Sequence, residues 1–298
     1  MEQTKRLFFI YNPCSGRGQL RTKLFEILQV FSEAGYEMGI HPTRASRDAV
    51  EQIRSLPDGY DLVVCSGGDG TMDEVVQGMM QREHKIPIGY IPAGTVNDFA
   101  RSLKIPRNMA KAARTAVEGQ NFPVDIGTFN DEYFVYIAAF GVFTDVSYST
   151  RQDMKNALGH MAYLLEGVKR LTNVPSYHLR LESEEVTEEG DFIFGMVTNS
   201  RSVGGFKNII GRRVHFDDGV FEVTFIRKPQ NAAELQEILA AILLKEINLK
   251  YMCSFRTARL EVAADGPVPW TLDGEYGGEW QNAIIQNHQK ALEIRVNS

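Results

Sequence analysis

The sequence predicts an α/β N-terminal domain with a parallel sheet over residues 1–125, followed by a β-rich sandwich domain over residues 126–298. In the first part, short apolar runs alternate with segments whose apolar residues recur at helical spacing, which is typical of βαβ units. In the second part, β-rich runs follow one another between turn residues, which favours an antiparallel sandwich. A chain of 298 residues is long enough for two domains of ordinary size.

Each predicted strand of the first domain ends at polar or breaker residues, and a helix follows it. The first strand, Leu7–Tyr11, stops at Asn12-Pro13, and the next helix is marked by Leu20, Leu24, Ile27, Leu28 and Phe31. The other predicted strands are Tyr36–His41, Asp61–Cys65 and Ile88–Ile91; the helices between them carry Ala49, Val50 and Ile53, then Val75, Val76 and Met79.

In the second domain, strands outnumber helices. The predicted strands are Tyr133–Ala139, Tyr177–Glu182, Phe192–Thr198, Val220–Ile226 and Arg256–Ala263, with helices near Asp153–Leu171 and at Ala232–Asn248. The final apolar run, Ala291–Val296, is compatible with a strand that returns to the first domain. No flexible linker marks the boundary, so we expect the domains to pack closely around a cleft.

Composition excludes several functional classes. The chain carries 32 basic and 38 acidic side chains, a net charge of −6, so we expect no nucleic-acid partner. No apolar run reaches the roughly 18 residues of a membrane span, and no signal peptide is recognisable. Its 3 cysteines lack metal-ligand spacing, which indicates reduced thiols in a cytoplasmic protein.

The clearest functional motif is the glycine-rich segment Gly67-Gly68-Asp69-Gly70-Thr71, where a predicted parallel strand ends and a helix begins. Glycines let backbone N–H groups approach phosphate oxygens, and the helix N-terminus adds its dipole. Thr71 and Glu74 match a capping box, which places the helix start at the glycines. Asp69 is unusual in an anion site unless it holds a cation or steers a cationic partner. A plain glycine-rich turn is the structural alternative.

Two companion loops follow neighbouring strands, at Asn12–Gly18 and at Pro92–Asp98. Both are small, polar and glycine-bearing, and Thr95 with Asp98 resembles a second helix cap. Because strand ends of a parallel sheet meet at one edge, the three loops can surround the phosphate chain of a nucleotide. The P-loop, Rossmann and protein-kinase patterns are absent.

Six segments in order along the chain resemble the diacylglycerol kinase catalytic-domain family, most closely the soluble bacterial enzymes. They are Asn12–Gly16, Gly67–Asp73, Gly94–Arg101, Val124–Gly127, Phe216–Gly219 and Leu272–Gly278. The G-G-D-G-T element is shared with NAD kinases, sphingosine kinases and phosphofructokinases, whereas G-T-x-N-D-F-A-R and the late D-G-E narrow the match to lipid kinases. The resemblance implies the fold of the NAD kinase and diacylglycerol kinase group.

The resemblance also implies ATP and Mg²⁺ as cofactors. The implied ATP contacts are Asn12, Pro13, Cys14, Ser15, Gly16, Thr43, Gly67, Gly68, Asp69, Gly70, Thr71, Met72, Asp73 and Thr95. It further implies a structural Mg²⁺ bound by the Asp218 carboxylate and by the carbonyls of His215 and Val220. A turn without an ion is the alternative for this Asp-Asp-Gly segment. Asp125 resembles the family aspartate that connects this metal through water to the active site. The alternative is that Asp125 simply caps the end of a strand.

Asp273 and Glu275 are the candidate catalytic carboxylates, together with Asp69. The resemblance places the proton acceptor in the D-G-E motif, and we assign it to Glu275, with Asp273 as rival or helper. Side chains at positions i and i+2 of a strand share a face, so both are expected to point the same way. Asp69 would hold the catalytic Mg²⁺ or position the phosphates. A hairpin turn with solvated acids is the alternative.

A lipid kinase without a membrane span must dock on the membrane surface, so we expect a peripheral protein at the inner face. Candidate contacts are the basic residues Arg101, Lys104, Arg107, Lys111 and Arg114, the basic and apolar segment 201–213, and an apolar stripe from Met154 to Val168. The alternative for the basic residues is an ordinary solvated surface, and the alternative for the apolar stripe is a place in the hydrophobic core. Gly35–Ile40 and Tyr251–Phe255 are possible edge strands for a homodimer.

The predicted reaction is transfer of the ATP γ-phosphate to the hydroxyl of diacylglycerol, which yields phosphatidic acid. Alternatives are another acceptor, such as a sphingoid base, phosphatidylglycerol or NAD, or a catalytically silent module that senses nucleotide or lipid.

Overall fold

The computed structural model describes residues 4–141, 175–199, 202–203, 206–207, 215–244 and 248–297. The predicted helix near Asp153–Leu171, its apolar stripe and most of the basic segment 201–213 lie outside these residues. The chain divides into two compact units. Unit 1 comprises Met1–Ile126 and Gln289–Ser298, and unit 2 comprises Gly127–His288.

Unit 1 is built on a parallel sheet with the strand order β4-β3-β1-β2. Its strands are β1 (Lys5–Tyr11), β2 (Tyr36–Pro42), β3 (Leu62–Gly67) and β4 (Ile88–Pro92). β3 and β4 are buried along their whole length, as expected for parallel strands covered on both faces. The α/β prediction for this part is confirmed.

The helices of unit 1 follow the strands in the predicted alternation. They are α1 (Gln19–Glu33), α2 (Asp48–Arg54), α3 (Asp69–Met80), α4 (Asp98–Ser102) and α5 (Met109–Glu118). A 3-10 turn at Ser15–Gly18 precedes α1. Helices α2 and α3 approach closely at Gly78, where a Cβ would lie 2.6 Å from the Val50 carbonyl oxygen.

The end of the chain returns to unit 1. The last strand, β15 (Glu275–Val296), pairs in parallel with β4 through Ile294 and Ile88. The Arg295 guanidinium donates to the carbonyls of Ala116 and Val117 at 3.1 and 3.2 Å, which caps the end of α5. Unit 1 therefore depends on residues that are last in the sequence.

Replacing Ile294 tests this dependence. Ile294 is fully buried, so Ile294→Ala is expected to lower the free energy of unfolding by about 2–4 kcal/mol in urea titrations. Ile284→Ala is the matched control on the same strand, because Ile284 is 43% exposed and the same truncation should cost less than about 1 kcal/mol there. Equal losses for the two variants would contradict the return of the strand to the core.

Unit 2 is rich in strands, and those described pair in antiparallel fashion. They are β6 (Glu132–Phe134), β7 (Ile137–Gly141), β8 (Tyr177–Glu182), β9 (Thr187–Thr198), β10 (Ser202–Val203), β11 (Phe206–Lys207), β12 (Phe221–Arg227), β13 (Met252–Thr257) and β14 (Arg259–Leu272), with the ends of β5 (Gln120–Phe129) and the start of β15. One described helix, α6 (Ala232–Leu244), interrupts them.

The unit 2 core is dominated by aromatic side chains. Trp270 packs against Phe129 and Phe140, with ring centroids 4.8 Å apart in both pairs. Phe140 and Phe192 pack on Phe225. Buried aromatic residues from several strands explain why this part folds around its own core. The β-rich prediction is confirmed.

Several elements differ from the predicted ones. The run Arg256–Ala263 is divided between β13 and β14, because the chain bends at Ala258 and the two parts pair with different strands. β5 and most of β15 were not predicted, since β15 contains a polar stretch from Gln286 to Lys290 that lacks β-forming side chains. Among the described strands, β2 and β13 each pair with one neighbour, so both lie at sheet edges.

Candidate active site

Three loops of unit 1 meet at the carboxyl ends of β1, β3 and β4. Gly16 has φ 62°, and a Cβ there would lie 2.2 Å from the Ala93 carbonyl oxygen. A Cβ on Gly94 would lie 2.7 Å from the Gly68 Cα. The Ala93 N–H donates to the Gly67 carbonyl at 2.8 Å. Glycine is therefore required at these positions because the backbones themselves are in contact.

The hydroxyl of Tyr90 supports these loops from the buried side. It lies 3.2 Å from the Gly67 carbonyl oxygen and 3.4 Å from Asn97 Oδ1. The Asn97 side-chain amide also makes two hydrogen bonds to the backbone of Gly94. Its Oδ1 accepts the Gly94 N–H at 3.0 Å, and its Nδ2 donates to the Gly94 carbonyl at 2.6 Å. Burial, with a smaller contribution from the Asp69 carboxylate, raises the pKa of Tyr90, so the phenol stays protonated and keeps its donor.

Asn12 organises the first loop. Its Oδ1 accepts the N–H of Cys14 at 2.9 Å, while its Nδ2 lies 3.5 Å from the Thr71 hydroxyl on α3. The Asn12 carbonyl accepts the N–H of Ser15 at 3.2 Å, with Pro13 between them. Cys14 is exposed. The loop thus turns tightly and is bound to the first turn of α3.

Helix α3 begins at Asp69, immediately after Gly68, as the glycine motif predicts. Its first turn, Asp69, Gly70 and Thr71, lies at the meeting point of the loops, whereas the Met72 side chain is buried in the core. Asp73 accepts from Gln77 along the helix at 2.8 Å. The N-terminal N–H groups of a helix favour an anion by their dipole and by their lack of intrahelical partners.

The predicted capping box of α3 is wrong. No side chain caps this helix, because Thr71 lies inside its first turn and Glu74 points elsewhere. Glu74 Oε1 accepts the N–H of Arg47 at 2.8 Å, and Oε2 accepts the N–H of Ala49 at 3.1 Å. Glu74 therefore caps the neighbouring helix α2.

Asp69 makes a similar contact with α4. Its Oδ2 lies 3.1 Å from the N–H of Asp98, and its Oδ1 lies 3.4 Å from the N–H of Phe99. The predicted cap of α4 by Thr95 is also wrong, since Asn97 occupies the N-cap position in a left-handed conformation and Thr95 is exposed. The carboxylate of Asp69 takes the role that was expected of Thr95.

The remaining implied nucleotide contact, Thr43, follows β2. Its N–H donates to the Tyr11 carbonyl at 2.8 Å, which places it beside the end of β1 and next to Asn12. Thr43 therefore lies at the same edge of the sheet as the three loops.

Two of the basic residues considered for membrane contact also bind the third loop. Arg101 Nη2 donates to the Val96 carbonyl, and Arg107 Nη2 donates to the Thr95 carbonyl, both at 3.2 Å. Lys104, Lys111 and Arg114 are exposed.

In unit 2, the D-G-E motif forms a tight hairpin turn between β14 and β15. Asp273 and Gly274 have φ values of 51° and 88°, and Leu272 pairs with Glu275 across the turn. Two successive positive φ values are typical of a type I′ turn, for which Asp-Gly is a preferred sequence. The expectation that Asp273 and Glu275 share a strand face is wrong, because Asp273 belongs to the turn itself.

The carboxylate of Asp273 anchors this turn. It accepts the N–H groups of Val135, Tyr136 and Ile137 at 2.5, 2.9 and 2.9 Å, and it is 8% exposed. The Tyr136 hydroxyl donates to the Asp273 carbonyl at 2.9 Å. Glu275, two residues on, is exposed. One carboxylate of the motif is thus held within the protein, and the other is available to solvent.

The segment implied to bind a structural metal precedes β12. The Asp218 carboxylate is ion-paired with Arg256 through Oδ2, and its Oδ1 lies 3.4 Å from the Val220 N–H. Arg256 also lies 3.3 Å from Glu222, its cross-strand partner. Burial raises the pKa of Glu222 to about 7, with Asp218 adding to the shift and Arg256 opposing it.

In this arrangement the Asp218 carboxylate is paired with a guanidinium, which a magnesium ion bound to Asp218 would have to replace or share. The other carboxylate oxygen, Oδ1, has the Val220 N–H as its neighbour at 3.4 Å. His215 is exposed and Val220 partly buried. Among the described residues, no group of three or more His, Cys, Asp and Glu side chains could hold a metal ion.

Asp125, at the end of unit 1, is almost fully buried. Its Oδ1 accepts the N–H of Lys290 at 2.7 Å, where β15 has a positive φ. This contact connects two parts of unit 1 that are distant in the sequence.

Sequence reasoning missed the roles of Glu74, Asn97 and Tyr90. Asn97 could have been found, since asparagine is enriched at left-handed positions and the segment Gly94–Asp98 contains turn residues. Nothing in the sequence shows that Tyr90 lies beneath the glycines.

Comparison with known proteins agrees with this architecture. A family model described as the diacylglycerol kinase catalytic domain matches residues 6–129, and one described as the YegS C-terminal NAD kinase beta sandwich-like domain matches residues 137–294. Two crystal structures from Bacillus anthracis, one of them of a protein described as a diacylglycerol kinase, match the whole chain. They have TM-scores of 0.82 and 0.77 at 24% and 21% identity, which shows the fold.

Curated relatives are similar over nearly their full length. The diacylglycerol kinase of Bacillus subtilis is 35% identical over 276 residues, which cover 92% of this chain and 91% of that protein. The diacylglycerol kinase of Staphylococcus carnosus is 34% identical over 277 residues, with coverages of 92% and 90%. On this evidence the chain belongs to the diacylglycerol kinase catalytic-domain family.

Proposed function

We propose that this lipid kinase transfers the γ-phosphate of ATP to the free hydroxyl of diacylglycerol and so produces phosphatidic acid. The observation that carries the proposal is the meeting of three glycine-bearing loops at the N-terminus of α3. Backbones in contact at Gly16, Gly68 and Gly94 leave no room for side chains at these positions, and the first turn of α3 begins beside them. Such an edge suits a chain of phosphates.

Glu275 is the proposed general base. The attacking hydroxyl must lose a proton as it bonds to phosphorus, and a carboxylate within reach of the substrate can accept it. Glu275 is exposed, whereas both oxygens of Asp273 accept backbone N–H groups. We therefore assign proton transfer to Glu275, and to Asp273 the positioning of the turn that carries it.

Mg²⁺ is proposed as a companion of ATP, in addition to the structural ion that the resemblance implies at Asp218. Magnesium in phosphoryl-transfer sites is held mainly by phosphate oxygens with one or two carboxylates, and it neutralises their charge. Asp69 is the carboxylate that unit 1 offers for this purpose. It also binds the start of α4, so we expect it to position the phosphates through that contact as well.

The acceptor is tested by offering several substrates under the same conditions. Radiolabelled ATP and Mg²⁺ are given with diacylglycerol, sphingosine or phosphatidylglycerol in mixed micelles, and with NAD in solution. Label in phosphatidic acid alone supports the proposal. Label in another product assigns a different acceptor, and ATP binding without any label favours the silent-sensor alternative.

Cys14 provides a probe of the nucleotide loops. At pH 8, one thiol is expected to react rapidly with a disulfide reagent, because Cys14 is exposed, Cys65 is buried, and burial raises the pKa of Cys253 to about 11. Saturating ATP should slow this reaction several-fold. The variant Cys14→Ser should lose the fast phase, and an unchanged rate with ATP would contradict binding at this loop.

Membrane attachment is proposed to be peripheral, at the inner face, because the proposed substrate is a membrane lipid. Among the described residues, no helix is long and apolar enough to cross a membrane.

A homodimer through an edge strand, β2 or β13, is a further proposal, to be tested by light scattering.

A further inference from the structure

The side chain of Glu74 serves a helix other than its own. It lies on the second turn of α3, partly buried, and its two oxygens accept the N–H groups of Arg47 and Ala49. Those groups belong to the start of α2, where no N-cap side chain is available because position 47 is an arginine. A carboxylate is the acceptor that a helix N-terminus favours most.

The start of α2 in turn holds the segment that contains Thr43. The first residue of α2, Asp48, accepts the N–H of Arg44 at 2.8 Å and lies 3.0 Å from His41 Nε2. His41 and Arg44 flank Thr43 on both sides. A chain of contacts therefore runs from Glu74 through the N-terminus of α2 to the backbone around Thr43.

The same pattern joins α3 to the other nucleotide loops. Thr71 contacts Asn12 of the first loop, and Asp69 binds the start of α4 after the third loop. Glu74 adds a third contact, with the N-terminus of α2, which in turn holds the segment around Thr43.

We propose that Glu74 is a positioning residue for nucleotide binding, which acts by fixing the Thr43 segment relative to the glycine-rich loop. This inference rests on the proposed ATP site. The body of α2 packs on α3 independently, at Gly78 against Val50 and Ile53. Loss of Glu74 is therefore expected to release the N-terminus of α2 without unfolding unit 1.

The test compares Glu74→Ala and Glu74→Gln with the wild-type chain. The dissociation constant of ATP with Mg²⁺, measured by calorimetry, should rise about tenfold for Glu74→Ala, because a displaced contact segment loses its productive geometry. Glu74→Gln keeps one acceptor oxygen and should show roughly a third of that effect. Glu51→Gln removes an exposed carboxylate of α2 that pairs with Arg54, and it should bind ATP like the wild type.

Kinetics separate positioning from a purely structural role. The KM for ATP should rise while kcat at saturating ATP and the KM for lipid stay close to their wild-type values. A folded Glu74→Ala protein with unchanged ATP affinity would overturn the inference about Glu74 but not the proposed function. If Glu74→Ala fails to fold, unchanged ATP affinity in Glu74→Gln would overturn the same inference. A wild-type chain that does not bind ATP would overturn the proposed function as well.

Discussion

Replacing Glu275 by glutamine is expected to abolish turnover while leaving nucleotide binding intact. Glutamine has the same shape but cannot accept the proton of the attacking hydroxyl, so kcat should fall by about 10²–10⁴-fold. The side chain is exposed, and its loss should leave the free energy of unfolding within about 0.5 kcal/mol of wild type. Steady-state kinetics and ATP titration of the purified variant measure both quantities.

The neighbouring Glu279→Gln is the matched control, because Glu279 is an exposed carboxylate on the same strand. It should keep wild-type activity. Substantial phosphorylation by Glu275→Gln would contradict the assignment of the general base and would return Asp273 to consideration.

Replacing Asp273 by asparagine is expected to reduce both stability and activity. Asparagine tolerates the left-handed backbone of this position, so the substitution isolates the loss of the carboxylate from backbone strain. One of the two oxygens becomes an NH₂ group facing the backbone donors of Val135–Ile137. The free energy of unfolding should fall by about 2–4 kcal/mol in urea titrations.

The contrast between the two variants separates their roles. Asp273→Asn should lower the unfolding midpoint and kcat together, whereas Glu275→Gln should lower kcat alone. An Asp273→Asn protein of wild-type stability that has lost all activity would indicate direct participation in catalysis rather than positioning of the turn.

The sequence predicts most of the scaffold of unit 1 because its strands are short apolar runs and its loops carry glycines. The start of α3 was predicted for the same reason. The helix that each carboxylate caps could not be predicted. The local sequence around Thr71 and Glu74 has the same capping pattern whether Glu74 caps its own helix, α3, or the neighbouring helix, α2. Which backbone N–H lies near Glu74 depends on the tertiary packing of α2 on α3.

In unit 2, the long strand β15 shows the corresponding limit. Its polar residues have low strand propensity, and the pairing with β14 decides the conformation. The sequence indicates both catalytic carboxylates and a hairpin turn for the D-G-E motif. The orientation of the Asp273 side chain could not be predicted, because it depends on the positive φ of Asp273 and on backbone N–H donors more than 130 residues away in the sequence.

The most direct test of the account measures ADP release and phosphatidic acid formation in one reaction, with ATP, Mg²⁺ and diacylglycerol as the only acceptor. Direct transfer to the lipid hydroxyl predicts one phosphatidic acid for each ADP, with the label of γ-phosphate retained in the lipid. ADP formed without phosphatidic acid would contradict the proposed reaction.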